Sequence, residues 1–407
     1  MSDTGSDNPL WGSGWRDVRR LWSLDSGAAH LNHGSYGAVP IHVREVQDAF
    51  RAEVDSNPER WFRRRMPDEV VKARTAIAGF LGASADAIAL VANASAGAST
   101  VLANLGLAPG DEIIITNHTY GAVRFAAQRR CQDAGGALVT VDVRAGAADD
   151  EILGTFDKAI TGKTRLIVVD QITSDTAMLF PIAAILALAH SRGVPVLVDG
   201  AHAPGMLDVD LDALDPDFWV GNLHKWCCAP HGTAVLYVAE PFRAGFRTLA
   251  VGTKDGEAFP RNFDYTGTAD FTAWLAAPAA LALLGGLGWD KVRRHNAALC
   301  AAGQHAVAAE LGIPERELWG SPRLSMRALP LPPELVSSAD GARALQARLA
   351  HEFALETVIK VWGGAGLIRL SAHVYNALPE YEKLAHVLGT LAHSPKVSSI
   401  NPVRSMF

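Results

Sequence analysis

The chain has 407 residues, of which 49% are hydrophobic and 20% are charged, and its formal net charge is −6. This length allows two domains around a sizeable core, and the composition is that of an ordinary soluble globular protein. The negative charge argues against a nucleic-acid partner, which calls for a basic face.

Three features bear on where the protein resides. Residues 1–20 are polar and rich in Gly and Ser, without the apolar core of a signal peptide, so we expect a mobile lead-in. Residues 271–289 carry no charge and could span a bilayer by length, but Pro278 interrupts them, which favours a buried helix over a membrane span. The cysteines form no CxxC pair, which predicts reduced thiols in the cytoplasm: Cys131, Cys227, Cys228 and Cys300.

Short runs rich in Val, Ile and Leu alternate with helical patterns through the first 240 residues. Helical stretches include 123–136 and 181–193, the second beginning at Pro181 and ending at Gly193. The strand candidates are 87–93, 112–117, 137–143, 165–172, 194–200, 217–222 and 233–238. Several are continuous apolar runs, typical of strands buried on both faces, so the alternation predicts a largely parallel, doubly wound sheet.

The pattern changes after about residue 260. A helical stretch over 271–310 leads to the segment 323–331, a helix over 338–354, a strand over 367–373 and a last helix over 379–393. This order predicts a smaller α+β domain. The fold class is therefore α/β, with a mostly parallel seven-stranded sheet in the large domain and a smaller C-terminal domain.

Two charged residues stand at the ends of neighbouring apolar runs. Asp199 closes "VPVLVD", and Lys225 follows the strand candidate 217–222, so both belong at the carboxyl edge of the sheet, where ligands bind. A buried carboxylate needs a cationic or N–H partner, which a protonated pyridine nitrogen supplies. A desolvated lysine has a lowered pKa and can form a Schiff base. Together they suggest pyridoxal 5'-phosphate; the alternative is a strand-end Asp and an exposed surface Lys.

Several motifs carry a resemblance to a known family. "VDGAHAPG" followed by "NLHKW" resembles the cofactor-binding core of fold type I pyridoxal-phosphate enzymes of the class V aminotransferase superfamily. Residues 31–40, 224–238 and 368–376 are most similar to its isopenicillin N epimerase branch. The resemblance, which runs from about residue 15 to 393, implies an N-terminal segment (1–35) joining the small domain, a large cofactor-binding domain (36–262) and a small C-terminal domain (263–407).

The resemblance also implies contacts to the cofactor. "NASAG" (93–97) matches a phosphate loop with Ser95 and Ala96, although a helix cap at Ser95 explains it equally well. His118 falls where the family stacks an imidazole on the cofactor ring, and its alternative role is a structural hydrogen bond. The other implied cofactor contacts are Ser174, His202, Asn222, which departs from the more usual Ser, and His224.

Further residues are assigned to the substrate and to a second subunit. Thr268, in "YTGTAD", resembles the loop residue that reaches the phosphate of a neighbouring subunit, which implies a homodimer with shared active sites. Arg369 matches the arginine that binds the substrate α-carboxylate, where bidentate geometry suits a planar group. Its alternative is a surface arginine on an edge strand. Asn32 and Gly34 lie in the segment that folds over the substrate.

Other protein classes lack their motifs. A hydrolase needs G-x-S-x-G, a zinc protease H-E-x-x-H and a dinucleotide-binding dehydrogenase G-x-G-x-x-G near the first strand, and none occurs. No metal is predicted. The alternative that is not an enzyme is a catalytically inactive relative that still binds pyridoxal phosphate. Such a protein would have lost some of the residues Asp199, Lys225, His118 and Arg369, and all four are present.

The reaction most consistent with the resemblance is epimerisation at the α-carbon of an amino acid, through an external aldimine and a carbanion. Lys225 would be the acid and base on one face, and Tyr120 or His118 the proton carrier on the other. A C–S or β-lyase similar to hercynylcysteine sulfoxide lyase and an aminotransferase are the alternatives. Because residues 340–369 contain no cysteine, a persulfide-forming desulfurase is disfavoured.

Overall fold

The structure, a computed structural model, describes residues 15–393, so most of the expected N-terminal lead-in lies outside the described residues. The helices in chain order are α1 (Trp15–Arg19), α2 (Ile41–Ser56), α3 (Pro58–Arg60), α4 (Met66–Phe80), α5 (Ala94–Asn104), α6 (Gly121–Ala134), α7 (Asp149–Ala159), α8 (Ile182–Ser191), α9 (Leu211–Leu214), α10 (Glu240–Arg243), α11 (Thr272–Leu287), α12 (Trp289–Glu310), α13 (Ala339–Phe353) and α14 (Leu378–His393). The strands are β1 (Ala29–His30), β2 (Ile88–Val91), β3 (Glu112–Thr116), β4 (Ala137–Val141), β5 (Thr164–Asp170), β6 (Val196–Asp199), β7 (Phe218–Asn222), β8 (Ala234–Val238), β9 (Met326–Leu331), β10 (Leu355–Glu356), β11 (Val358–Trp362) and β12 (Ala365–Ser371).

A seven-stranded sheet forms the centre of the larger part of the protein. Its strand order is β2-β8-β7-β6-β5-β3-β4, in which β8 runs antiparallel to both neighbours and the other pairs are parallel. The seven strands coincide with the seven strand candidates in the sequence. The prediction of a mostly parallel, doubly wound sheet is confirmed, because these apolar runs are buried on both faces by helices.

Polar side chains meet at the carboxyl edge of the central strands. In the parallel register of β5 and β6, Asp170 pairs with Asp199, and Asp199 pairs in turn with Val220 on β7. Lys225 follows β7 by three residues. The fold therefore brings two carboxylates and a lysine to one crevice beyond the strand ends.

The apolar stretch after residue 270 is two helices rather than one. Gly288, with φ of 87°, separates α11 from α12, and the two axes differ in direction by 79°. Half of the residues of α11 are buried, among them Leu275, Ala276 and Leu284, as expected of a buried helix. Within residues 15–393 no single helix is long and apolar enough to cross a membrane. Taken together, despite the bend between them, α11 and α12 do have the necessary length and apolar composition.

The C-terminal part contains a three-stranded antiparallel sheet of order β11-β12-β9, packed against α12, α13 and α14 through its own apolar cluster. The N-terminal segment joins this part. β1 pairs in parallel with β10, and the Leu31 carbonyl accepts a hydrogen bond from the Ser371 N–H at 3.0 Å. The domain limits at residues 36 and 262 remain a prediction.

Candidate active site

A cavity of about 630 Å³ lies at the carboxyl ends of β5, β6 and β7. Residues from the N-terminal segment, the large sheet and the C-terminal strands line it together. Of the predicted site residues, those that line it are Asn32, Gly34, Ser95, Tyr120, Ser174, Asp199, His202, Asn222, His224, Lys225 and Arg369. The structure thus gathers in one place residues that lie up to 337 positions apart in the chain.

Lys225 is held at both its backbone and its amine. Its Nζ lies 3.2 Å from Nε2 of His202, and its backbone carbonyl accepts a hydrogen bond from the His33 imidazole at 2.9 Å. Burial lowers the pKa of the Lys225 amine to about 7, and the nearby positive charge of Arg369 contributes in the same direction. A large share of this amine is therefore neutral near pH 7, as a nucleophile that attacks an aldehyde must be.

Asp199 ends β6 and is only 4% exposed. One of its oxygens accepts a hydrogen bond from the Ala201 N–H at 3.0 Å. Burial raises the pKa of this carboxyl, while the Ala201 N–H and the positive charge of Lys225 oppose the rise. A cation placed beside Asp199 in the cavity would reverse this effect of burial, since it stabilises the charged carboxylate.

The N-terminus of α5 opens onto the cavity. The Asn93 side chain caps it by accepting from the Ala96 N–H at 2.8 Å, and the Asn222 side chain accepts from the Ala94 N–H at 2.8 Å. Gly97 lets the helix approach the sheet, because a Cβ there would lie 2.7 Å from a methyl group of Val220. Ser95 lies in this first turn, where the neighbouring N–H groups already have partners, so its own N–H and hydroxyl, together with the helix dipole, favour an anion such as a phosphate.

His224 lies beside this anion site with one ring nitrogen committed. Its Nδ1 donates to the backbone carbonyl of Thr233 at 2.9 Å, and burial lowers its pKa to about 4. The imidazole is therefore neutral at physiological pH. The side-chain oxygen of Asn222 accepts the hydrogen bond from α5, so Asn222 orients the candidate phosphate loop.

Arg369, on β12, is 3% exposed and faces the cavity rather than the surface. One terminal nitrogen donates to the Ser174 carbonyl at 2.7 Å, and the other donates to Ser35 Oγ at 2.6 Å and to Asn32 Oδ1 at 3.1 Å. Burial lowers its pKa to about 10, which leaves the guanidinium charged at neutral pH. Within residues 15–393 no carboxylate forms a salt bridge with it, so its charge is not neutralised by the protein, and an external carboxylate would have to replace some of these neutral acceptors.

Three predicted contacts do not reach the lining of the cavity. His118 donates from Nε2 to the Val143 carbonyl at 2.8 Å, its Nδ1 lies 2.7 Å from Thr176 Oγ1, and its ring packs beside Trp362. Both nitrogens are therefore occupied by structural hydrogen bonds, and the stacking of this imidazole on a cofactor ring stays a prediction. The Ala96 N–H is taken by the Asn93 cap, and Thr268 is exposed.

Sequence reasoning missed several residues of the cavity. Asp170 ends "RLIVVD" on β5 just as Asp199 ends "VPVLVD" on β6, and this parallel was the available signal. Lys360 lies at the C-terminal side of the cavity, where its Nζ contacts Asp175 Oδ1 at 2.5 Å. The position of Lys360 depends on how the three-stranded sheet packs against the rest of the protein. No short sequence motif identifies this lysine.

A buried group of possible metal ligands lies behind Lys225. His33, Cys228 and His373 have ligand atoms within 4.8 Å of one another. However, both ring nitrogens of His33 are already hydrogen-bonded, and its ring stacks on His373 with centroids 4.2 Å apart. Nearly parallel stacked rings direct their lone pairs along separate planes, so these three side chains do not converge on a single ion.

The comparison with known proteins decides the family. The profile described as Aminotransferase class-V matches residues 41–384. The chain belongs to the class-V aminotransferase family. Membership indicates pyridoxal 5'-phosphate as the cofactor, in agreement with the expectation from the sequence and with solved relatives that carry it.

Curated relatives of this class-V chain carry names of two kinds. It is 31% identical over 399 residues to isopenicillin N epimerase of Amycolatopsis lactamdurans, covering 93% of this chain and 98% of that one. It is 29% identical to isopenicillin N epimerase of Streptomyces clavuligerus, with the same two shares. It is also 28% identical to a putative L-cysteine desulfhydrase of Oryza sativa subsp. japonica, covering 92% and 85%.

Solved structures show the same fold at lower identity. The cysteine desulfurase CsdA of Escherichia coli matches with a TM-score of 0.77 at 20% identity, covering 93% of this chain and 98% of that one. The cystine C–S lyase C-DES, in complex with cysteine persulfide, matches with a TM-score of 0.73 at 20% identity, covering 90% and 98%. The prediction of the type I fold is therefore confirmed.

Proposed function

We propose that this class-V enzyme epimerises the α-carbon of an amino-acid substrate, in the manner that the name isopenicillin N epimerase describes for its relatives. One observation carries the proposal: a single cavity presents Lys225, Asp199 and Arg369 together. Lys225 would bond to the aldehyde carbon of the cofactor, Asp199 would pair with its ring nitrogen, and Arg369 would bind the substrate carboxylate.

The residues of the cavity fit pyridoxal phosphate. Asp199, buried with one oxygen free of a backbone donor, would pair with the ring nitrogen, and the first turn of α5 at Ser95 would hold the phosphate. His202, 3.2 Å from the amine of Lys225, would lie beside the phenolate oxygen. When bound, the cofactor supplies a cationic ring that stabilises negative charge at the substrate α-carbon.

Arg369 would position the substrate. Ser174, Ser35 and Asn32 hold its guanidinium by four hydrogen bonds, so that the fork is oriented before the substrate arrives. Pre-organisation of this kind lowers the entropy cost of binding. Lys225, with a pKa lowered by burial, would take the α-proton at Nζ and return it on the same face.

Epimerisation needs a second proton carrier on the opposite face. Of the two residues that the sequence left open, Tyr120 lines the cavity and is 44% exposed, whereas His118 has both nitrogens bonded elsewhere. We therefore assign the second proton transfer to the phenol of Tyr120, which can donate and accept a proton.

A C–S lyase is the second candidate, and the desulfhydrase names among the relatives favour it. The same residues would remove the α-proton, after which a sulfur leaving group on the β-carbon departs. No cysteine lines the cavity, and all four are buried elsewhere, which suits either candidate and opposes persulfide formation on the protein.

The two reactions separate in deuterated water. The loaded enzyme is incubated with amino acids that carry, or lack, a sulfur leaving group, and the recovered amino acid is analysed for deuterium and configuration. Epimerisation places deuterium at the α-carbon with inversion, and Tyr120→Phe should suppress inversion more than exchange. Release of pyruvate, ammonia and a sulfur product, with retained configuration in the unreacted substrate, would favour the lyase instead.

We further infer a homodimer with shared active sites. Thr268 is exposed, so another subunit can reach it, and its hydroxyl would exchange its contact with Tyr265, at 2.9 Å, for one across the interface. Leu249 and Val251, in the loop before it, are 55% and 79% exposed and would be covered if this loop contacts the second subunit. Sedimentation of the loaded protein tests this: a dimer is expected, and a monomer at all concentrations contradicts it.

The cytoplasmic location stays a prediction.

A further inference from the structure

Two carboxyl groups lie side by side at the floor of the cavity. Asp170 ends β5 and Asp199 ends β6, and the two residues are direct partners in the parallel register. Neighbouring strands are spaced about 4.8 Å apart, so side chains on one face of such a pair are adjacent. Both residues line the cavity, and they are only 2% and 4% exposed.

Each carboxyl group has a backbone donor, which for Asp170 is the Tyr120 N–H, but one oxygen of Asp170 is left over. Asp199 accepts from the Ala201 N–H and shares the cavity with Lys225. Asp170 has a fully buried oxygen, Oδ2, that finds no partner among residues 15–393. A buried carboxylate without a partner is costly, and two adjacent ones repel each other, so one of the pair is more stable when protonated.

The surroundings of Asp170 identify it as the protonated member. Burial and then the charge of Asp199 raise the pKa of Asp170 well above its usual range. The ionisable groups that act on it are Asp199 on β6, Lys225 after β7 and Asp175 in the loop after β5. The backbone N–H of Tyr120, after β3, opposes this rise in the pKa without cancelling it.

We propose that Asp170 and Asp199 form a carboxyl pair that holds one proton, kept by Asp170 and donated as a hydrogen bond to the Asp199 carboxylate. Asp170 is then a positioning residue, which fixes the orientation of Asp199 and leaves one negative charge, rather than two, at this end of the cavity. This charge balances one cation. The identification of this cation as the cofactor ring nitrogen rests on the proposed function. The proton shared by Asp170 and Asp199 is independent of that function.

Infrared difference spectroscopy on the full-length, cofactor-free protein with ¹³C-labelled aspartate tests the shared proton. At neutral pH we expect a protonated aspartic acid band that is absent from Asp170→Asn and retained in Asp217→Asn. Asp217 is a matched control, since it lies at the opposite end of the same sheet, bonded to the Val196 N–H. If wild type and Asp170→Asn give the same spectrum, the pair does not hold a proton and the proposal is overturned.

A second variant keeps the test valid should Asp170→Asn fold poorly. Asp199→Asn removes the neighbouring charge, so the Asp170 band should titrate at a pH lower by roughly one to three units. An unmoved midpoint overturns the pairing. In the loaded protein, Asp170→Ala should shift the pH midpoint of cofactor absorbance, whereas Asp170→Asn, which keeps a donor, should shift it less. If only this last difference fails, the cofactor placement at Asp199 is wrong while the carboxyl pair stands.

Discussion

The imidazole of His33 donates from Nε2 to the backbone carbonyl of Lys225 at 2.9 Å, while its Nδ1 accepts from the hydroxyl of Tyr375 at 2.6 Å. The ring is fully buried, and burial lowers its pKa well below the usual value. A neutral imidazole with one proton satisfies both contacts. His33 therefore links the N-terminal segment, the backbone of Lys225 and the C-terminal part of the chain.

Replacing His33 by Leu should destabilise the protein. The substitution leaves the Tyr375 hydroxyl buried without a partner, at a cost of about 1–3 kcal/mol. It also removes one of the two hydrogen bonds to the Lys225 carbonyl, which keeps the Cys228 N–H at 3.0 Å. Urea unfolding of the cofactor-free protein measures the loss, and Tyr375→Phe isolates one of the two bonds. An unchanged unfolding midpoint for His33→Leu would show that the network does not support Lys225.

The lowered pKa of Lys225 predicts a pH dependence of stability. In the unfolded chain a lysine keeps its proton to about pH 10.4, whereas in the folded, cofactor-free protein the pKa of Lys225 is about 7. Between these values the unfolded state binds more protons, so this lysine makes stability rise with pH; below pH 7 its full penalty applies.

Unfolding free energies of the cofactor-free protein at pH 7 and pH 9 test that sign. Lys225→Met should gain less stability than wild type over this interval. Lys360→Met is the matched control, because Lys360 is a cavity lysine paired with Asp175. Its charge makes the smallest contribution to the lowered Lys225 pKa, so this variant should keep most of the wild-type dependence. Parallel pH curves for wild type and Lys225→Met would contradict a depressed lysine pKa.

Arg369→Lys should weaken substrate binding while preserving a positive charge. Lysine cannot reproduce the planar fork that Ser174, Ser35 and Asn32 orient, so we expect KM to rise by about 10- to 100-fold. Binding of an amino acid and of the matching amine without a carboxylate is compared by cofactor absorbance. The variant should lose affinity for the amino acid only; an equal loss for both ligands would place Arg369 elsewhere in the mechanism.

The fold was predictable from the sequence where the pattern is local. The strands of the large sheet are continuous apolar runs buried on both faces, such as Ile113 to Ile115, and they appear at the predicted positions. The separation of 271–310 into two helices was not predicted. Gly288 adopts a positive φ at the bend, but a lone Gly inside a helical pattern also occurs in straight helices.

The sequence predicted which residues lie near the candidate site, but not which of their side chains point into it. Asp199 and Lys225 were placed correctly because a strand end fixes which edge of the sheet a residue occupies. His118 and Tyr120 follow the same strand, and the turn between β3 and α6 decides which of them faces the cavity. Such a turn depends on contacts to Thr176 and Val143, which are remote in the chain.

Thiol reagents should leave the enzyme active. Burial raises the pKa of each cysteine thiol, and none of the four lies in the cavity, so the reactive thiolate is scarce and inaccessible. Native protein treated with iodoacetamide should retain activity and show no modified cysteine by mass spectrometry, with unfolded protein as the labelled control. Inactivation with modification of Cys227 or Cys228 would point to a persulfide mechanism.

The most direct test of the central claim is borohydride reduction of the loaded protein, followed by peptide mass mapping. Lys225, three residues after β7 and beside His202, should carry the reduced cofactor, and Lys225→Ala should lose both the label and the visible absorbance of the imine. Label on Lys360, the other lysine that lines the cavity, or an absorbance band that persists in Lys225→Ala, would contradict the account.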